Sequence, residues 1–66
     1  MFEFSDAALA ALLLHNAQKS VSGRGDGAWW LLDFAKWEII SKLPLGPEHS
    51  FIVGVIHAYN VRRLAA

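Results

Sequence analysis

The 66 residues read as one all-α domain, a small three-helix unit spanning 1–66. Three observations point there. Two breaks rich in glycine or proline divide the chain into three helix-length segments, and each segment opens on a residue suited to a helix start. The charges near the segment ends also carry the sign that a helix dipole favours.

Helix one is expected from Ser5 to about Ser20. The Ser5 hydroxyl can accept a bond from a first-turn amide that has no helical partner, and Asp6 complements the positive end of the dipole. The run Ser20-Val21-Ser22-Gly23-Arg24-Gly25-Asp26-Gly27 stops it. Three glycines there can adopt positive φ, and no periodic apolar face continues, so 21–27 reads as a loop.

Helix two is expected from Ala28 to about Leu43, capped by Asp26 or Gly27, with Glu38 and Lys42 in the favourable i,i+4 order. Pro44 ends it, because proline cannot donate to the preceding turn and biases Leu43 away from helical dihedrals. Pro47 suits the first position of helix three, Glu48 sits at its positive end, and Arg62 and Arg63 sit near its negative end at about Leu64. The competing reading is a short buried strand over 51–56, where Phe51-Ile52-Val53-Gly54-Val55-Ile56 is rich in β-branched residues; the fold would then be α+β. Helical spacing argues for the helix. At about 100° per residue Phe51, Ile52, Val55, Ile56, Ala58 and Tyr59 gather on one face, and Ser50, His57 and Asn60 fall on the other.

Composition then sets what this unit must do. Apolar residues make up 55% of the chain and charged residues 18%, against roughly 45–50% and about 25% in typical domains. A chain this short buries only about 60% of the surface its unfolded form exposes, and domains of this size usually add disulfides, a metal or a second subunit. Cysteine is absent. The chain therefore carries more apolar surface than one small core hides, and self-association is expected. The longest apolar run, Ala7 to Leu14, is eight residues, far short of the roughly 20 that span a bilayer. The first 18 residues contain Glu3 and Asp6 but no Lys or Arg, unlike a secretion signal, so the expected compartment is the cytoplasm.

The surplus concentrates on helix two. Trp30, Phe34 and Trp37 line one side, and Leu32, Ala35, Ile39 and Leu43 line nearly the opposite one, with Asp33 and Lys36 on one flank and Glu38 and Lys42 on the other. One stripe can face the other helices, and the second then needs another surface. Helix one is apolar all round from Ala7 to Leu14, which fits a central position in the bundle or a place in an interface equally well. The tryptophans could all anchor the core of a small protein. The alternative reading makes Trp30, Phe34 and Trp37 a contact stripe for another protein or a second copy of the chain, joined by Arg24 from the loop.

Other chemistry is weakly encoded. The glycine loop follows a helix and lacks the Lys-Ser/Thr pair of a phosphate loop, and Arg24-Gly25-Asp26 is too short a match to carry an integrin-binding reading. His15, His49 and His57 do not share a spacing that converges on a metal. Cysteine is missing, and the serines lie at helix ends and in the loop, away from an oriented base. No catalytic residue, metal or cofactor is expected, and the chain reads as a non-enzyme. Six Lys plus Arg balance six Asp plus Glu and are dispersed along the sequence, which argues against nucleic acid as partner. Two alternatives stand beside the main reading: a dimeric nucleic-acid-associated regulator using Arg62 and Arg63, and a peripheral protein adsorbed to a membrane surface through helix two. The main reading is a protein–protein interaction module, acting as a homo-oligomer or as a binder or inhibitor of a larger protein.

Overall fold

The computed structural model describes residues 3–65. Three helices account for most of them: α1 (Asp6–Ser20), α2 (Ala28–Lys42) and α3 (Pro47–Ala65). Residues 51–56 lie inside α3, and there is no strand among the described residues. Flanking helix signals thus override the local β-branched preference, which is weak and depends on context.

Local chemistry sets the ends. Ser5 takes extended dihedrals before α1, and its Oγ accepts from the Ala8 amide at 3.2 Å. Gly27 holds the position before α2 at φ 81°, a conformation that costs glycine little. Asp26 completes the cap from one residue further back, its Oδ1 accepting from the Ala28 amide at 3.0 Å. Leu43 is extended ahead of Pro44 and ends α2. Glu48 does more than complement a dipole. Its carboxylate accepts from the Ser5 amide at 2.7 Å and from the Ser5 hydroxyl at 2.8 Å, tying the start of α3 to the start of α1.

The helices run up, down and up. Phe4 packs against Phe51 near the lower end, with centroids 5.3 Å apart, and His15 meets Tyr59 edge-on at 5.2 Å higher up. These pairs set α3 parallel to α1 and leave α2 antiparallel to both. The buried apolar residues are Ala8, Ala11, Ile40, Leu43, Ile52 and Ile56, with Phe4, Leu12, Ile39 and Val53 packed against them. Two alanines at the α1 contact let the helices approach closely.

The seam differs from the apolar pattern in register. On α1 it follows Ala8, Ala11, His15 and Gln18, and on α2 it includes Lys36, Ile40 and Leu43. That is the alternating three- and four-residue spacing of packed helices. The inner side of α2 is therefore shifted toward Lys36 and Ile40: of the Leu32, Ala35, Ile39 and Leu43 stripe, Leu43 is buried and Ile39 packs against the core, but Leu32 and Ala35 are only half-buried. Lys36 is 2% exposed and is an interior residue rather than a flanking charge, and His15, 3% exposed, is buried beside it.

Candidate interaction surface

With α2 turned this way, its outer side carries large apolar groups into solvent. Trp30 is 71% exposed, Phe34 73% and Trp37 37%. They stand at i, i+4 and i+7, so they form one stripe about two turns long. Asp33 and Glu38 line the shallow groove they make, and Leu31 extends the exposed surface. Leu9 and Leu13 of α1 are also exposed, so part of the helix-one surplus faces outward too.

The upper half of the interior is polar. Lys36 Nζ donates to Gln18 Oε1 at 2.6 Å and stands 3.3 Å from Asp33 Oδ1. Gln18 Nε2 in turn donates to Asp33 Oδ1 at 3.0 Å. This closed triangle satisfies an ammonium that would be expensive to bury alone. Lys36 Nζ also lies 3.5 Å from His15 Nδ1, and His15 Nε2 and the Trp29 indole N–H are buried without a hydrogen-bond partner among the described residues. Burial first, and then the charges of Lys36 and Lys19, hold the His15 pKa below its usual 6.5.

Arg24 pairs with Asp26 in the loop. It does not lie along the stripe but meets it at one end, where Arg24, Trp29, Trp30 and Arg63 border a cavity of about 410 Å³. The Arg63 guanidinium covers the Trp29 ring at 5.3 Å and the Tyr59 ring at 5.9 Å, so it is partly engaged, and Arg62 is exposed. His57 is exposed as well. Among the described residues no three metal-ligating side chains converge, and no helix is long and apolar enough to cross a membrane.

The cations, dispersed in sequence, are not dispersed in space. The helix directions bring Lys19, Arg24, Arg62 and Arg63 to the loop end, with Asp26 as the one acid there among the described residues. Glu3, Asp6, Glu38 and Glu48 gather at the opposite end with Lys42. Lys36 and Asp33 pair between them. A chain of zero net charge is thus split into a basic and an acidic pole.

No family model, curated protein or solved structure matches this chain. The polar triangle and the poles escaped the sequence reading. The triangle had a signal there, since His15 and Gln18 continue the Ala8, Ala11 spacing, but only a register that admits polar residues would find it.

Proposed function

We propose that this protein is a non-enzymatic interaction module of the cytoplasm whose working surface is the outer side of α2. One observation carries the reading: Trp30 and Phe34 stand about seven-tenths exposed on a helix whose opposite side is packed. Aromatic side chains of this kind dominate binding when a partner removes them from water. A compact apolar stripe rimmed by Asp33 and Glu38 also matches the anatomy of an interface centre with a polar edge. Arg24 stands at the end of the stripe as a rim contact.

The test is capture by the immobilised chain beside Trp30→Ala and Phe34→Ala variants with unchanged helical circular dichroism. A partner, whether a second copy or another protein, should be retained by the parent chain and lost by the variants. Equal retention by all three would move the contact off α2, and indoles shielded from acrylamide in the lone chain would remove the surface itself.

A second reading rests on the basic pole, where Lys19, Arg24, Arg62 and Arg63 could touch a polyanion. It requires a mobility shift with nucleic acid at low salt that is lost in an Arg62→Ala, Arg63→Ala double variant. Absence of a shift at low salt would eliminate it.

A further inference from the structure

Building on that reading of α2, we infer that the occupant of its outer side is a second copy of this chain, packed antiparallel about a two-fold axis close to Phe34. Three features converge on this arrangement.

The stripe is self-complementary. Trp30 and Trp37 lie at equal distances on either side of a point between Asp33 and Phe34. A two-fold axis there sets Trp30 of each copy against Trp37 of the other and brings the Phe34 rings together, as an isologous interface requires.

The poles choose the direction. The basic end, with Lys19, Arg24, Arg62 and Arg63 against the single acid Asp26, and the acidic end, with Glu3, Asp6, Glu38 and Glu48 against the single cation Lys42, lie toward opposite ends of α2. Antiparallel packing places each pole beside its opposite, with the Arg24 loop of one copy near Glu38 of the other. Parallel packing would juxtapose like charges twice, which an interface avoids. A partner of unrelated charge would have no reason to match both ends at once, whereas a second copy matches them by symmetry.

The area fits. A folded monomer of 7.3 kDa should expose about 4,200 Å², but this chain exposes 4755 Å². The molecule as a whole therefore exposes roughly 600 Å² more than its mass predicts, and Trp30, Leu31, Phe34 and Trp37 contribute to that excess, while a standard interface takes about 800 Å² from each partner.

The experiment combines light scattering with one spin label. The chain has no cysteine, so Ser41→Cys, at an exposed position beyond Trp37 along the same side of α2, takes a single nitroxide. The expected result is a particle of two chains, an inter-label distance on the order of 20 Å from the helix rise, and self-association at least about 30-fold weaker for Phe34→Glu with helicity retained. A dimer indifferent to Phe34→Glu overturns the inference by moving the contact elsewhere, and labels within about 12 Å would mean parallel packing. A monomer at about 100 μM, above the micromolar dissociation constants at the weak end of standard-size interfaces, also overturns it. In that case the immobilised chain serves as bait for other proteins, and the free chain is mixed with anionic vesicles. Capture of a different protein that Trp30→Ala abolishes would leave the interaction-module reading standing without the dimer. Vesicle co-sedimentation would assign the stripe to a lipid surface, and neither would remove both readings.

Discussion

On its inner side α2 buries Lys36, and on its outer side it holds Trp30 and Phe34 in water. Hydropathy alone would place these residues the other way round. The contrast shows that burial in this molecule follows helix register rather than side-chain polarity. Lys36 lies in the three-and-four spacing that meets α1, and the aromatic stripe does not. Gln18 and Asp33 make the inversion tolerable inside by satisfying the ammonium. Outside, Trp30 meets the Trp29 ring edge-on at 4.7 Å and the Trp37 ring centre lies 5.5 Å from Lys36 Nζ, but Trp30 and Phe34 still keep about seven-tenths of their surface in water, which is why a partner is proposed for the stripe.

Substitutions on the two sides should therefore differ in kind. The largest effect is expected for Ile52→Ala, since Ile52 is fully buried against the apolar core. Such a truncation costs about 2–5 kcal/mol, and a domain of this size holds only about 3–5 kcal/mol in total. Urea titration followed by circular dichroism should show little cooperative unfolding left at 25 °C. Retention of the full transition would mean that the core is not where the packing puts it.

Lys36→Ala comes next and tests the comparison most directly. Removing the ammonium leaves Gln18 Oε1 without its donor and the Asp33 carboxylate with only the Gln18 amide, at an expected cost of about 2–3 kcal/mol in the same assay. An exposed lysine would cost under about 0.5 kcal/mol, so a value that small would place Lys36 outside the interior.

His15 gives a smaller effect with a defined sign. Its folded pKa lies below 6.5 because burial and the neighbouring lysines disfavour the imidazolium. The unfolded chain therefore binds a proton first as pH falls. Its contribution to stability is complete above about 6.5 and is lost as pH drops below that value toward the lowered folded pKa. The urea midpoint should fall between pH 7.5 and 5.5, and His15→Gln should flatten that dependence. An unchanged slope in the variant would assign the loss to other groups.

The smallest effect on folding belongs to Phe34→Ser. With the ring 73% exposed, monomer stability at low concentration should change by less than about 0.5 kcal/mol, even as association is lost. A large loss in the monomer would show that Phe34 is packed within its own chain, and the contrast between the two sides would collapse.

Much of the architecture was legible because it depends on neighbours in sequence. Ser5, Gly27 and Pro47 mark the three starts, Pro44 and the glycine loop mark the stops, and each acts through dihedral preference or a bond spanning a few residues. The Glu38–Lys42 pair, at 3.6 Å, is likewise set by helical spacing. The exposed stripe was half legible: the grouping of Trp30, Phe34 and Trp37 follows from periodicity, but the position of the inner side did not.

Which side of α2 turns inward could not be read along the chain, because large apolar groups surround the helix and no direction stands out. The choice came from docking on α1, where Ala8, Ala11, His15 and Gln18 form the seam and select Lys36, Ile40 and Leu43 to meet it. The Ser5–Glu48 tie, 43 residues apart, and the two charge poles arise in the same way. Capping and periodicity act over one helical turn and are written locally. Burial, paired charge across helices and the sorting of ions by height depend on distances that exist only once the helices have packed.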